Sequence, residues 1–355
     1  MIENMGILAG EKNHYNNPFA ISYPRCLIKI PVMKYDPISK NVKKDKISIL
    51  EYQLFRAKNA GIKNVYILTG KENDKIIKDN ITNDYGLNID FLYDKEKGTQ
   101  PVIYNFLDTI DKDILLINGD VVSDVNLKKV IEMHNKDKMT LVSVPMISRF
   151  GVVKIEGRKV VDYQEKPILP YMIDGGIYTI SPSLKKFFEK PKEGDAHDLA
   201  FYEIRKKGLL NSFNIESFIF WREIESLNDY NTVLKEFNNK ILKPWGYEKI
   251  EIFNEDYLKK ELFLMEDHKT SFHYHKQKRE TINVKEGRIK IKIENSEEKF
   301  LTNNEKITLL PGTKHSIIAV TNSLLEEIST PHPFDTIRIN DYYEREIYDK
   351  DFSTS

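Results

Sequence analysis

Residues 271–287 read SFHYHKQKRETINVKEG. His273 and His275 alternate through Tyr274. On a strand, residues i and i+2 face the same side, so both imidazoles point one way. Glu280 follows five residues later, and Gly287 marks the turn after it. A second piece, LLPGTKHSII at 309–318, brings His315 onto a later strand. Three histidines and one carboxylate make an open site for a divalent transition metal such as Zn, Fe, Mn or Ni. A lone histidine is more often a satisfied core or surface residue. Here, however, five of the eight histidines fall between His268 and His332.

Outward from this stretch, the chain after Lys243-Pro244 is a run of short strands. Turns fall at Asn254-Glu255, Glu286-Gly287, Asn295-Ser296 and Pro311-Gly312. That texture predicts an all-β barrel. Upstream the pattern differs. Apolar strand-like runs at Met5–Gly10, Asn64–Thr69, Leu87–Tyr93, Asp113–Asn118 and Thr140–Pro145 alternate with helical patterns at Ile47–Ala60, Glu72–Asn80, Pro101–Thr109 and Asn126–Asn135. This alternation predicts an α/β domain, a Rossmann-like mixed sheet with helices on both faces. Further strands are expected at Phe150–Pro167 as a hairpin, at GGIYTISP and at Phe213–Trp221, with helices at Ser183–Glu189 and Asn228–Phe237. Two domains follow, 1–240 and 241–355, each long enough for its own core.

Composition narrows the partners. The 54 Lys and Arg balance the 54 Asp and Glu, so nothing argues for nucleic acid or an anionic membrane. The single cysteine, Cys26, excludes an internal disulfide framework and reads as a buried apolar residue. No signal-peptide pattern opens the chain, and no apolar run reaches the roughly 18 residues of a membrane span. The expectation is a cytoplasmic protein.

The H-x-H, Glu, Gly and later P-G-x-x-H pieces resemble the cupin family over roughly residues 245–340. The resemblance implies a double-stranded β-helix barrel with His273, His275, Glu280 and His315 pointing inward. The segment KPWGYEKI and the pieces after it are similar to cupins of sugar and sugar-phosphate isomerisation. These include the C-terminal domain of bifunctional mannose-1-phosphate guanylyltransferase/mannose-6-phosphate isomerases. The spacing from H-x-H to Glu is closer to lyxose-isomerase-like cupins. Isomerisation needs a Lewis acid and a base; Glu327, His332, Asp335 and Arg338 are within reach of the barrel mouth, Glu327 being the candidate base. The run Lys276, Lys278 and Arg279 reads as a solvated strand edge or as a phosphate-attracting patch. Cupins often pair through edge strands, which makes a homodimer an expectation.

The first domain carries ILAG, YPRCLIKI, ILEYQLFRAKNAGIKNVYILTG, GTQPV, LINGDVVSDVNLKKVIEMHN, FGVVKI, YQEKP, DGGIY and WREIESLNDY in that order. The ordered set resembles sugar-1-phosphate nucleotidyltransferases over roughly residues 4–238. The implied chemistry is in-line attack of a sugar-phosphate oxygen on the α-phosphorus of a nucleoside triphosphate, with pyrophosphate leaving. By resemblance, Asp120 and Glu223 would hold Mg²⁺, although the family more often has Asp at the second position. Lys166 would meet the sugar phosphate. Glu165, Asp174 and Gly175 would line the sugar pocket, where the family usually has Asn at 174. Gly10, Glu11, Gly98 and Thr99 would lie against the nucleotide. The product would be a nucleotide sugar for a surface glycan.

Each residue also has a plain structural reading. Asp120 would be a turn residue or helix cap, Lys166 a solvated lysine, and Glu223 a partner of Arg222. The first loop departs from the family's G-x-G-T-R-L. It reads AGEKNHYNNPFAISYPR, without the second glycine, and Arg25 stands where the family has Lys. Lys12, Asn13, His14 and Arg25 would then supply the donors that a glycine-rich backbone normally gives. Two readings stay open: an active transferase with an altered loop, or a domain that binds a nucleotide or nucleotide sugar without turnover.

Overall fold

A computed structural model describes residues 1–10, 24–36, 41–93, 98–188 and 198–343. The chain divides into two compact units. One comprises Met1–Lys29 with Ser48–Asn231, and the other Ile30–Ile47 with Thr232–Ser355. Residues 30–47, assigned to the first domain by the sequence reading, thus fall in the second unit, as the hairpin Lys29–Asp36 with Asn41–Ser48.

The first unit is built on a seven-stranded sheet. Its spatial order is Leu210–Asn214, Met139–Ile147, Ile168–Ile180, Ile114–Asn118, Asn4–Leu8, Asn64–Thr69, Asn88–Tyr93. Asn4–Leu8 pairs in parallel with both Asn64–Thr69 and Ile114–Asn118, while Ile168–Ile180 runs antiparallel to its two neighbours. The apolar run ILLI is buried because its strand lies near the middle of the sheet, covered on both sides. Phe106, Leu116, Tyr178, Ile180, Phe188 and Phe201 share one core. The strand expected over Phe213–Trp221 is instead two short ones. Leu210–Asn214 extends the large sheet, and Trp221–Glu223 pairs with Val121–Ser123; Ile215 and Ile219 are buried outside any strand. The helix expected at Ser183–Glu189 is a 3₁₀ segment, Pro182–Phe187.

The helix Ile49–Asn59 opens with a capping box. The Ser48 hydroxyl accepts from Glu51 N at 3.1 Å, and the Glu51 carboxylate accepts from Ser48 N at 2.8 Å. Ile49 N also donates to Ile28 O at 3.0 Å, so the chain on either side of the 30–47 hairpin is closely apposed. Burial alone would raise the Glu51 carboxyl. Donors from Ser48 and Thr82, with the Lys29 ammonium 3.3 Å away, outweigh it and hold the group at about 2. A carboxyl depressed in the folded state contributes stability above its unfolded value of about 4.5, and that contribution is lost as pH falls toward about 2. Glu51→Gln is therefore expected to flatten the pH dependence of thermal unfolding between pH 4.5 and 2. An unchanged acid slope would show that Glu51 carries no such linkage.

Apart from the end of the helix Leu227–Phe237, the described residues of the second unit form strands and turns, and both of its large sheets are antiparallel. A six-stranded sheet runs Lys240–Lys243, Gly246–Phe253, Leu258–Leu264, Ser323–Ser329, Glu280–Glu286, Lys306–Leu309. A five-stranded sheet runs Lys299–Thr302, Arg288–Ile293, His315–Ala319, Phe272–His275, Thr336–Asn340. Leu262, Ile282 and Leu325 of the first sheet pack with Ile289, Ile291 and Ile317 of the second, the two-sheet arrangement of a cupin-like barrel. Gly246 has φ +142°, and a Cβ there would stand 1.9 Å from Phe263 O, so only glycine lets these strands meet. Among the described residues no helix is long and apolar enough to cross a membrane.

Candidate functional site

In the first unit the polar residues collect where the parallel strands end. Leu8 registers with Asn118, and Gly119 N donates to Leu8 O at 2.9 Å, which sets Gly10 and Asp120 on the same edge. That carboxyl edge is where open α/β sheets bind ligands. Gly119 is required there, because a Cβ would stand 2.4 Å from Leu8 O. Asp120 is 8 % exposed, and its Oδ2 accepts from Arg25 Nη1 at 2.8 Å. The pairing of Glu223 with Val121, and the bond from Ile224 N to Asp120 O at 3.1 Å, bring Glu223 beside Asp120. Asn118 Nδ2 donates to Glu223 Oε1 at 3.3 Å. The antiparallel strand delivers Asp174 and Gly175 to the same edge. Asp174 Oδ1 accepts from Gly176 N at 2.9 Å and Oδ2 from the Tyr178 hydroxyl at 3.0 Å. Burial first, then the Asp174 and Glu223 carboxylates, push the Tyr178 phenol well above its usual range, so it remains a donor. Trp221 Nε1 donates to Gly175 O at 2.8 Å.

Asp120, Glu223, Asp174, Gly175 and Arg25 are thus brought together. The backbones of Asp120 and Glu223 are adjacent, and carboxylates are hard oxygen donors of the kind that suits Mg²⁺; in this structure Asp120 Oδ2 is engaged by Arg25. Gly98 precedes the helix Thr99–Ile110 with φ +119°; next to it Gln100 is 5 % exposed with Oε1 lacking a hydrogen-bond partner among the described residues. Glu165 and Lys166 sit elsewhere in character. They follow the exposed ribbon Val152–Glu156 with Lys159–Gln164, are themselves exposed, and pair with each other at 4.0 Å. None of their described contacts reaches the Asp120 group. Glu11, with Lys12, Asn13, His14 and Tyr15, lies outside the described residues. Cys26 is buried, as expected, and burial followed by the nearby Asp120 charge pushes its thiol up to about 12. Sequence reading missed Asn118, Tyr178 and Trp221, which hold the site carboxylates and glycine in place.

In the second unit, strand alternation turns His273 and His275 to one side, and the antiparallel partner strand sets His315 directly opposite His273. Glu280 comes from the other sheet. Ligand atoms of the four residues lie within 4.8 Å of one another, and all four residues are buried. Each histidine Nδ1 faces a backbone carbonyl: His273 on Ser271 O at 2.8 Å, His275 on Asp335 O at 3.2 Å, His315 on Thr313 O at 2.9 Å. A carbonyl only accepts, so the ring protons sit on Nδ1 and the Nε2 lone pairs point inward. Glu280 Oε1 meets His315 Nε2 at 3.0 Å and His275 Nε2 at 3.4 Å, while His275 Nε2 and Glu280 Oε1 lack a hydrogen-bond partner among the described residues. Converging lone pairs without protons fit a divalent cation. Burial, then the neighbouring His315 and His275, push the His273 imidazole well below its ordinary 6.5, which keeps it neutral. Burial opposes ionisation of Glu280, but the Lys278 ammonium holds its carboxyl well below the usual range. Both are the protonation states a metal requires. Lys278 itself is 4 % exposed, so the basic run is not a solvated edge at this position; Lys276 and Arg279 are exposed.

Comparisons with known proteins fall mostly on the first unit. The family model described as Nucleotidyl transferase matches residues 35–244. Bifunctional protein GlmU of Methanococcus maripaludis is 25% identical over 204 residues, covering 55% of this chain and 48% of that protein. Glucose-1-phosphate cytidylyltransferase of Salmonella typhi is 28% identical over 138 residues, covering 38% of this chain and 52% of that protein. The chain spans about half the length of the curated relatives it matches. Among solved structures, one assigned as a glucose-1-phosphate thymidylyltransferase from Bacillus anthracis, in complex with a sucrose, shares the fold. Its TM-score is 0.52 at 18% identity, over 68% of this chain and 98% of that one. The family match spans more than half of the sequence and includes Asp120, Asp174 and Glu223, and on that ground the chain belongs to the nucleotidyl transferase family.

Proposed function

We propose that the first unit transfers a nucleotidyl group from a nucleoside triphosphate to a sugar 1-phosphate and releases pyrophosphate. The observation that carries this reading is the backbone adjacency of Asp120 and Glu223 at the carboxyl edge of the sheet, where Glu223 pairs with Val121 and Ile224 N donates to Asp120 O. Mg²⁺ held there would neutralise charge on the triphosphate and orient it for in-line attack. Asn118 keeps Glu223 aimed at the edge, and the pair Asp174–Tyr178 fixes the loop of Gly175 and Gly176 beside it. Arg25 supplies a bidentate cation for phosphate oxygens once it leaves Asp120. Lys166, exposed on its turn, is the candidate for the sugar phosphate. The test is pyrophosphate release across a panel of triphosphates and sugar 1-phosphates with Mg²⁺. Turnover with at least one pair is expected. Nucleotide binding by calorimetry without turnover by any pair would leave the non-catalytic reading, which the Arg25–Asp120 ion pair favours because it occupies a carboxylate that the metal needs.

In the second unit, His273, His275, Glu280 and His315 hold a divalent transition metal, and the barrel isomerises a sugar phosphate. Such a metal polarises a carbonyl. Glu327, the candidate base or else a solvent-facing strand residue, is buried with Lys278 at 2.9 Å and Ser329 at 3.0 Å. Metal analysis followed by assays on hexose and pentose phosphates tests this. A metal-loaded protein that interconverts none of them would limit the barrel to metal binding.

A further inference from the structure

Lys278 is the most deeply buried cation next to the four-ligand cluster, and neither activity proposed above uses it. Its backbone is fixed from outside: Gln277 N and Lys278 N both donate to Asp335 Oδ2, at 2.5 and 2.8 Å, and Arg279 N donates to Thr330 Oγ1 at 3.1 Å. The side chain therefore runs inward. Its ammonium stands 2.6 Å from Glu280 Oε2 and 2.9 Å from Glu327 Oε1. Behind it the charges alternate along the inner face of the six-stranded sheet. Lys260 lies 3.9 Å from Glu327 Oε2 and 3.2 Å from Glu248 Oε2, and Lys243 lies 3.1 Å from Glu248 Oε1. A well-packed apolar side chain would serve stability as well as a buried ion pair does. What an apolar side chain cannot do is occupy one oxygen of a ligand carboxylate.

We infer that Lys278 is a positioning residue that takes Glu280 Oε2 out of play, so that the centre offers three imidazole nitrogens and one carboxylate oxygen. The inference rests on the metal-binding reading of the cluster. Its geometry is direct. Oε1 sits among the Nε2 atoms of His275 and His315, while Oε2 is drawn away to the ammonium. Glu327, held by Ser329 and Lys260, keeps the ammonium from swinging clear. The consequence is a four-donor set that leaves coordination positions for a ligand, where a two-oxygen Glu280 would fill one of them.

Co²⁺ is the probe, added to the full chain. Removing the ammonium alone would strand Glu327 without a counter-charge, so the variant is the neutral double substitution Lys278→Met with Glu327→Gln, and Glu327→Gln alone is the control. The control should keep the visible Co²⁺ spectrum of the unsubstituted protein. The double variant should lose band intensity, as the second Glu280 oxygen enters the coordination shell, and should bind Co²⁺ about 10- to 100-fold more weakly. A spectrum and affinity equal to those of the unsubstituted protein would overturn the inference. X-ray absorption or a crystal structure of the Co²⁺-loaded, unsubstituted protein decides independently of any variant's folding: one bound Glu280 oxygen supports the inference, and two overturn it. A native chain that takes up no Co²⁺ would sink the metal centre itself, and this inference with it.

Discussion

Asp120→Asn should lower the rate of pyrophosphate release by about 10²- to 10³-fold, the scale seen when one preorganised electrostatic group is removed from a reaction centre. The substitution keeps shape and removes charge. An asparagine Oδ1 still accepts from Arg25, whose Nη1 stands 2.8 Å from Asp120 Oδ2, so the local packing survives. The apolar strand behind it, with Ile114, Leu115, Leu116 and Ile117 fully buried, does not see the change. Thermal unfolding should therefore stay near that of the unsubstituted protein while turnover collapses. What is lost is an anionic oxygen for Mg²⁺, so the concentration of Mg²⁺ needed for half-maximal rate should rise as well. Turnover within a few-fold of the unsubstituted rate would show that Asp120 is a turn residue and that the chemistry lies elsewhere.

His315→Ala should abolish retention of a transition metal by the second unit. His315 is 2 % exposed, its ring centroid lies 4.4 Å from that of His273, and its Nε2 is 3.0 Å from Glu280 Oε1. Loss of a direct ligand should exceed the roughly 10- to 100-fold cost of losing an outer-shell partner. Metal content after dialysis should fall to background by elemental analysis. A second readout follows from mass action. At about 100 times the dissociation constant, a bound ligand stabilises the folded state by about 2.7 kcal/mol. Added Zn²⁺ should raise the melting temperature of the unsubstituted protein and leave the variant unmoved. Equal metal content in both proteins would remove His315 from the ligand set.

Much of this architecture was legible because it is local. The alternation of His273 and His275 fixes their common face whatever the partner strand, and an apolar run ending in Gly119-Asp120 can only present its aspartate at a strand tip. The rest depends on pairings that no local pattern encodes. Asn118 meets Glu223 across 105 residues, and Tyr52 meets Ser123 O across 71. IESFIF at 215–220 has the composition of a strand yet folds outside one, because an apolar run tells burial and not conformation. The strands NVKKDKIS and KIPVMKYD were missed for the opposite reason: Lys43, Lys44, Asp45 and Lys46 make one read as polar loop, and Pro31 interrupts the other. Lys278 looked solvated beside Lys276 and Arg279. Only the three-dimensional meeting of Glu280 and Glu327 explains a buried ammonium there.

The threading of residues 30–47 decides how the two units can be studied apart. Truncation at 240 would produce one fragment with an orphaned ribbon and another missing part of its own framework, so inactivity of either would say nothing about chemistry. Excision is the sounder route. Ile28 O and Ile49 N are already 3.0 Å apart, so deleting 30–47 and bridging the gap with a tight turn leaves a first-unit fragment ending near Asn231 whose ends need not travel.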